Sequence, residues 1–280
     1  MRAAALLSFA CVSSPPRTIP VCLSIAGSDS GGGAGIQADL KAMSANGVFG
    51  MSAITAITAQ NTRAVTAAYD LPTSLIEAQI DAIFEDFEVS AVKTGMLSSS
   101  DIVRVVARKL AFYAVENLVV DPVMISKSGY DLLQADAIES VKRDLIPLAR
   151  LVTPNLPEAE RLTGQPIRTT EEAKAAARAI HGLGASSVLI KGGHRLDERA
   201  TDILFDGSRF TIFPGEYIAT SNTHGTGCTY ASAIAAQLAL GASLVDAIGA
   251  AKSYITEAIR HSLAIGHGHG PTDHFFAMRR

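Results

Sequence analysis

The chain has 280 residues, of which 48% are hydrophobic, enough for a sizeable core in one large domain or two smaller ones. Its 24 Lys and Arg are nearly balanced by 27 Asp and Glu, and the formal net charge is −3. No basic block marks a nucleic-acid footprint, and no apolar run has the length of about 20 residues that a membrane span needs. Small molecules are therefore the expected partners, and neither nucleic acid nor a membrane is.

The first eighteen residues, MRAAALLSFACVSSPPRT, contain a short apolar segment after one arginine. Their minimal positive region and the lack of a small-x-small cleavage site predict a poorly ordered N-terminal extension, not an export signal. The cysteines, Cys11, Cys22 and Cys228, lie far apart and have no C-x-x-C spacing. They indicate a reducing compartment, so we expect a cytoplasmic protein without a disulfide framework.

From Val21 onward, short apolar runs alternate with segments whose apolar residues recur every three or four positions. The predicted strands are VCLSIAG, MSAITAIT, VSAVKTG, NLVVDPVM, RLVTPN and SSVLIKGG. The predicted helices are IQADLKAMSANG, TSLIEAQIDAIFEDF, SDIVRVVARKLAFY and TEEAKAAARAIHGLG. A hairpin that turns at Asp206-Gly207, TDILFDGSRFTIFPG, precedes two helices at about 226–240 and 243–263.

This order predicts an α/β fold, a three-layer αβα arrangement with a mostly parallel central sheet and helices on both faces. No linker or internal repeat interrupts the chain, so residues 19–280 are predicted to form a single domain. Ligands of such sheets gather outside the carboxyl ends of the strands. Unusual residues in the loops after the strands are therefore the candidate site.

The first such loop is glycine-rich and lies in AGSDSGGGAGIQADLK, between the first strand and the first helix. It has neither the G-x-G-x-x-G order nor the P-loop pattern. Its glycines, Gly27 among them, permit close approach of the backbone to a ligand, and Asp39, about one turn into the helix, could face the same cavity. A flexible turn and a solvated carboxylate are an equally good interpretation.

In AITAQNTR, Gln60 and Asn61 follow a very apolar strand. A carboxamide has both a donor and an acceptor and can pair with the edge of a heteroaromatic ring. An ordinary loop amide is the commoner interpretation of such a residue.

Two further strand ends carry charged or capping residues. In TPNLPEAERL, Asn155 is a candidate N-cap and Glu158, three residues later, completes a capping arrangement; Glu158 is also a candidate ligand of Mg²⁺ through water. Lys191, in SSVLIKGGH, could bind phosphate or simply extend to solvent. Asp121 occupies the analogous place in NLVVDPVM.

The segment NTHGTGCTYASA places a lone thiol at a glycine-rich helix entrance. The backbone N–H groups of Gly225, Thr226, Gly227 and Cys228 are predicted to form a cradle for negative charge at the helix N-terminus. The same cradle predicts a pKa of the Cys228 thiol below its free value of about 8.5. An alternative explanation of Cys228 is that it is simply a small buried residue. A covalent hydrolase that uses Cys228 as nucleophile and His224 as base is a further explanation, and a poor one.

The motifs AGSDSGGGAGIQADLK, AQNTR, KTGML, DPVM, TPNLPEAE, KGGH, NTHGTGC and GHGHGP together closely resemble the hydroxymethylpyrimidine/phosphomethylpyrimidine kinases of thiamine synthesis, members of the ribokinase-like superfamily. The match runs in order from about Ile19 to Phe276. The resemblance implies phosphorylation of 4-amino-5-hydroxymethyl-2-methylpyrimidine by Mg-ATP, first to the monophosphate and then to the diphosphate. It also implies a homodimer.

The resemblance assigns roles to individual positions. It implies that Asp39 and Gln60 hold the pyrimidine and that Met96, like Gly27, lines its pocket. The loop Gly225–Cys228 matches the family's anion hole, with Cys228 as the base. Positions associated with Mg-ATP match Asn155, Glu158 and Lys191, and Asp121 is expected beside them. A pyridoxal kinase is the nearest rival, and a nucleotide-binding sensor without turnover is a more distant one.

Overall fold

A computed structural model describes residues 18–124, 132–192 and 200–279. The predicted N-terminal extension therefore lies, except for its last residue, outside the described residues. So do the last two residues of the KGGH motif.

Nine strands of the described residues form one sheet. They are β1 Val21–Asp29, β2 Phe49–Gln60, β3 Val65–Asp70, β4 Val89–Thr94, β5 Leu118–Val120, β6 Leu151–Val152, β7 Val188–Ile190, β8 Asp202–Phe205 and β9 Phe210–Phe213. Their order across the sheet is β3-β2-β1-β4-β5-β6-β7-β8-β9. The run from β2 to β7 is parallel, and the pairs β2–β3, β7–β8 and β8–β9 are antiparallel. The predicted mostly parallel sheet and the β8–β9 hairpin are confirmed.

Helices cover both faces of this sheet, as predicted. They are α1 Gly35–Ala45, α2 Thr73–Phe84, α3 Ser100–Phe112, α4 Ala135–Ser140, α5 Leu156–Thr163, α6 Thr170–His181, α7 Thr226–Ala239 and α8 Leu244–Arg260. One apolar core contains side chains of α2 to α6, and a second contains side chains of α1, α7 and α8. Among the described residues, no helix combines the length and apolarity that crossing a bilayer requires.

The patterns in the sequence predict neither β3 nor α4. The edge strand β3, VTAAYD, has few large apolar residues, and most of its side chains are exposed. Helix α4 is only six residues long and continues into a π-helical turn at Val141–Leu145. Neither segment is long enough to show a clear period.

Helix α7 begins where the two glycine-rich loops of the chain touch. Gly225, the residue before α7, has a φ of +75°. A side chain there would be strained, and its Cβ would overlap the carbonyl oxygen of Gly33, in the loop after β1. This contact brings the first turn of α7 to the carboxyl end of β1.

Candidate active site

A cavity of about 570 Å³ lies at the carboxyl ends of the parallel strands. Eleven of the twelve predicted site residues line it, and Asp39 is the exception. The eleven are Gly27, Gln60, Met96, Asp121, Asn155, Glu158, Lys191, Gly225, Thr226, Gly227 and Cys228. These residues come from six strand ends and from the start of α7, and they meet in one space, in keeping with the rule that ligands bind at the carboxyl ends of parallel strands.

The N-terminus of α7 forms one wall of the cavity. The first amides of a helix have no intrahelical acceptor, and with the helix dipole they favour an anion. A Cβ added to Gly227 would lie 3.4 Å from the Lys191 ammonium and 3.7 Å from Asp121 Oδ2. Because glycine leaves this space open, an ammonium and the first turn of α7 face the same point.

Lys191 is held by the Asp121 carboxyl group and also lies in the electrostatic field of Glu158. Its Nζ donates to Asp121 Oδ1 over 2.7 Å, and Thr153 Oγ1 lies 3.2 Å from the same oxygen. Burial disfavours the charge on Lys191, but Asp121 and Glu158 outweigh it and raise its pKa. Burial, reinforced by Asp121, raises the pKa of Glu158 to about 7, although Lys191 and Asn155 oppose the shift.

The predicted capping arrangement of α5 is confirmed. The backbone N–H of Asn155 donates to Glu158 Oε2 over 2.8 Å, and the backbone N–H of Glu158 donates to Asn155 Oδ1 over 2.9 Å. These reciprocal bonds satisfy two donors at the start of the helix. They also hold the Glu158 carboxyl in the cavity wall beside Lys191.

Cys228 is half-buried in the first turn of α7 and lines the cavity. The prediction of a lowered thiol pKa is wrong. Burial raises the pKa of Cys228 to about 11, and the charges of Asp39 and Asp121 add to it, while Lys93 and the Gly35 amide oppose the rise. The thiol is thus protonated near neutral pH, because desolvation and nearby carboxylates outweigh the Lys93 charge and the Gly35 amide.

The prediction that Asp39 faces the cavity is also wrong. Its side chain is fully buried between α1, the sheet and α7. It accepts hydrogen bonds from Ser24 Oγ at 2.6 Å, Ser232 Oγ at 2.7 Å and Lys93 Nζ at 2.9 Å. Asp39 therefore ties the layers together. Ser232 lies one helical turn after Cys228 on α7, which places this network directly behind the thiol.

Lys93 lies in the KTGML motif, but the sequence analysis gave it no role. It is the penultimate residue of β4, two positions before Gly95. Burial disfavours its charge, but the Asp39 carboxylate outweighs burial and holds the Lys93 pKa above its usual value.

Replacing Lys93 with methionine should destabilise the protein by about 3–5 kcal/mol, because Asp39 would keep a buried charge without a counter-ion. Urea unfolding with a matched m-value measures this change. The control is Lys93→Met combined with Asp39→Asn, in which no buried charge remains; it should recover more than half of the loss. A single variant as stable as the wild type, or a double variant less stable than the single one, contradicts this account of the pair.

The lining of the cavity also contains Gly27, Gln60 and Met96. A Cβ on Gly27 would lie 3.0 Å from Met96 Sδ, so a glycine lets β1 and Met96 approach closely. Nearby, Asp29 and His224 form a pair that the motifs did not predict: His224 Nε2 lies 2.8 Å from Asp29 Oδ2. Both are buried, and they join the loop after β1 to the loop before α7.

The fold, with a cavity at its strand ends, is that of a ribokinase-like kinase, a phosphotransferase. Residues 29–273 match the family model described as phosphomethylpyrimidine kinase. The chain belongs to this family.

Individual relatives agree with this assignment. The chain is 52% identical over 255 residues to a thiamine biosynthesis bifunctional protein of Geobacter sulfurreducens, covering 91% of this chain and 52% of that protein, so it spans about half of that relative. It is 50% identical over 258 residues to the hydroxymethylpyrimidine/phosphomethylpyrimidine kinase of Bacillus subtilis, covering 92% and 95% of the two chains. The crystal structure of an ADP complex of Bacillus subtilis pyridoxal kinase has a TM-score of 0.87 and 40% identity, covering 94% of this chain and 100% of that one.

Proposed function

We propose that this protein phosphorylates the hydroxymethyl group of 4-amino-5-hydroxymethyl-2-methylpyrimidine with ATP, and then phosphorylates the monophosphate to the diphosphate. The observation that carries this proposal is the lining of one cavity. A carboxamide, Gln60, and an apolar side chain, Met96, line the same cavity as Lys191 and the first turn of α7. A small heteroaromatic alcohol suits the first pair, and the phosphates of ATP suit the second.

Asp121 and Glu158 are the residues proposed to hold Mg²⁺, Glu158 through water. Asp121 Oδ2 is buried and has no hydrogen-bond partner among the described residues, so an oxygen ligand is available beside Lys191. The described residues contain no cluster of three or more His, Cys, Asp or Glu that could hold a metal alone. This fits Mg²⁺, which usually takes one or two carboxylates together with phosphate oxygens and water. Bound Mg²⁺ neutralises charge on the β- and γ-phosphates.

In the first step, the hydroxymethyl oxygen forms a bond to the γ-phosphorus, the bond from that phosphorus to ADP breaks, and the hydroxyl proton is lost. Cys228, in its minor thiolate form, is the proposed acceptor of that proton. In the second step, the nucleophile is a phosphate oxygen that is largely ionised above a pKa of about 6, so no base is needed. Lys191 and the amides of Gly227 and Cys228 stabilise the transferred group in both steps.

Mass spectrometry of the products formed from the pyrimidine alcohol, Mg-ATP and purified protein tests the proposal. The monophosphate and the diphosphate are both expected, and the diphosphate should also form from added monophosphate. A protein that turns over neither compound would contradict the proposed function and favour a nucleotide-binding sensor.

Pyridoxal phosphorylation is the second candidate, supported by the likeness to Bacillus subtilis pyridoxal kinase. Gln60 favours the aminopyrimidine, because the ring nitrogen and the exocyclic amine complement both ends of a carboxamide. The higher identity, 50%, to the Bacillus subtilis hydroxymethylpyrimidine/phosphomethylpyrimidine kinase supports the same choice. Values of kcat/KM for the two alcohols, measured side by side, separate the candidates.

The setting of the enzyme is part of the proposal. We take residues 19–280 as one catalytic domain that acts in the cytoplasm, in keeping with the free thiols of Cys22 and Cys228. A homodimer would cover exposed apolar side chains at the β3 edge of the sheet, such as Ile57 and Tyr69.

A further inference from the structure

The Gln60 side chain lies between two polar groups that limit how its amide can be oriented. As the amide stands in the structure, its oxygen Oε1 lies 3.2 Å from Thr58 Oγ1 and its nitrogen Nε2 lies 3.4 Å from His224 Nε2. A half-turn of the planar amide exchanges its oxygen and nitrogen between these positions. The partners of Thr58 and His224 decide which orientation is stable.

His224 must donate at Nε2. That nitrogen lies 2.8 Å from Asp29 Oδ2, and the same carboxyl group also accepts bonds from the backbone amides of Gly31, Gly33 and Ala34. Although burial favours the neutral acid, these bonds hold the Asp29 pKa below its usual value. An ionised carboxylate only accepts, so the hydrogen lies on His224 Nε2. An amide nitrogen facing Nε2 would set one donor against another.

Thr58 must accept at Oγ1. Its hydroxyl has a single hydrogen, and the carbonyl oxygen of Ser28, 2.8 Å away, is the nearer acceptor. With that hydrogen committed, only lone pairs of the hydroxyl face Gln60. An amide oxygen toward Thr58 would face a second acceptor, the Thr58 hydroxyl oxygen. An amide N–H in that place donates a hydrogen bond to this oxygen. Both neighbours therefore select the same orientation, with oxygen toward His224 and nitrogen toward Thr58.

This orientation fixes how an aminopyrimidine would lie. The free edge of Gln60 offers an N–H on the Thr58 side and an oxygen lone pair on the His224 side. The ring nitrogen N3 pairs with the N–H, and the 4-amino group pairs with the oxygen. The 5-hydroxymethyl group follows the amino group around the ring, so it lies beyond it, on the side of His224. His224 directly precedes Gly225, and the alcohol consequently faces the loop that starts α7.

We propose that Thr58 and His224 are positioning residues that set the Gln60 amide and thereby direct the hydroxymethyl group of the substrate toward the anion-binding loop. This inference rests on the proposed function for its substrate. The orientation of the amide itself rests only on the hydrogen bonds above.

The activity test uses a reversed substrate. In the 4-oxo analogue, 5-hydroxymethyl-2-methylpyrimidin-4-one, N3 carries a hydrogen and the 4-substituent accepts, so the pattern along the ring edge is inverted. The wild type should strongly prefer the amino compound. In Thr58→Val, which keeps the shape but removes the hydroxyl, the ratio of kcat/KM for amino over oxo compound should fall about tenfold, as expected when a site loses a hydrogen-bonding group that discriminates substrates.

Thr58→Ser, which keeps the hydroxyl, is the matched control, and its ratio should stay within about threefold of the wild-type ratio. The ratio is measured within one preparation, so partial unfolding of a variant does not change it. An unchanged ratio in Thr58→Val, in an enzyme that phosphorylates the amino compound, overturns the inference without touching the proposed function.

A second measurement needs no turnover. In ¹⁵N-edited NOE spectra of the wild type, the Gln60 side-chain amide protons should show cross-peaks to the Thr58 γ-methyl group. Cross-peaks to the His224 ring instead of the methyl group overturn the inference, even if the protein phosphorylates neither pyrimidine.

Discussion

Gly227→Asp is expected to abolish both phosphorylations while the protein stays folded. The new Cβ has room, because its nearest neighbours are Lys191 Nζ at 3.4 Å and Asp121 Oδ2 at 3.7 Å. The added carboxylate, however, reaches the Lys191 ammonium and places a negative charge where the γ-phosphate is proposed to bind. Removal of one anion-stabilising donor costs about 10²–10³-fold in rate, and here a repulsive charge is added as well, so we expect a loss of about 10³-fold or more in each step.

The fold should tolerate this change. Gly227 is the second residue of α7, and aspartate in the first turn of a helix is favourable by about 0.3–1 kcal/mol. Its repulsion from Asp121 is offset by attraction to Lys191. The free energy of unfolding in urea should therefore stay within about 1 kcal/mol of the wild-type value, well below the cost of breaking a buried ion pair.

Gly227→Ala is the matched control, since it adds the same Cβ without the charge. It should retain most of the activity in both steps, and its affinity for ATP should stay near that of the wild type, whereas the aspartate variant should bind ATP poorly. Loss of only one of the two steps, or an aspartate variant with more than a tenth of wild-type kcat/KM, contradicts the placement of the phosphates at this loop.

The fold was largely predictable because most of its strands are buried on both faces. Such strands read as continuous apolar runs, and the segments that became β1, β4, β5, β6 and β7 have this character, whereas β2 alternates buried and more exposed positions. Four consecutive residues of the edge strand β3 are exposed, so both of its faces reach solvent and its composition carries no comparable signal. Helix α4 is too short to show a period.

The residues that line the cavity were predictable where a local rule sufficed. Lys191 and Asp121 follow strands and Gln60 ends one, and strand ends of a parallel sheet converge on one edge. The prediction that Asp39 faces the cavity failed because the residues around its carboxylate are distant in sequence. Lys93 is 54 residues away and Ser232 is 193 residues away. No local pattern shows that these groups close around the carboxylate. The pairing of Asp29 with His224, 195 residues apart, is of the same kind.

The prediction of a lowered pKa for the Cys228 thiol failed for a related reason. A helix N-terminus is a local feature, and by itself it favours a thiolate. Burial and the charges of Asp39 and Asp121, from α1 and the end of β5, are tertiary features that act in the opposite direction. Their sum decides the sign, and only the folded chain contains all of its parts.

Cys228→Ala should separate the two phosphorylations. The alcohol needs a proton acceptor, and removal of a general base typically costs about 10²–10⁴-fold, so the first step should slow by about this factor. The monophosphate oxygen is ionised above a pKa of about 6, so the second step should change only a few-fold. Cys228→Ser is the matched control: its hydroxyl resembles the thiol in size but does not ionise in the same range, and it should behave like alanine in the first step.

The raised thiol pKa gives the wild type a distinct pH profile. With a pKa of about 11, the thiolate is a minor form at pH 7, and its fraction rises about tenfold with each pH unit until the pH approaches that pKa. The rate of the first step should rise in the same way between pH 7 and 9.5, whereas the second step should lack this rise.

Glu158, whose pKa is about 7, is one of the residues proposed to bind Mg-ATP. Its titration should therefore change the rates of both steps by the same factor, and this factor cancels in the ratio of the two rates. That ratio should therefore increase with pH in the wild type and stay flat in Cys228→Ala and Cys228→Ser. Initial rates with each substrate across this pH range measure it. A flat ratio in the wild type, or equal losses in both steps on replacing the cysteine, would show that Cys228 positions the reacting groups and accepts no proton.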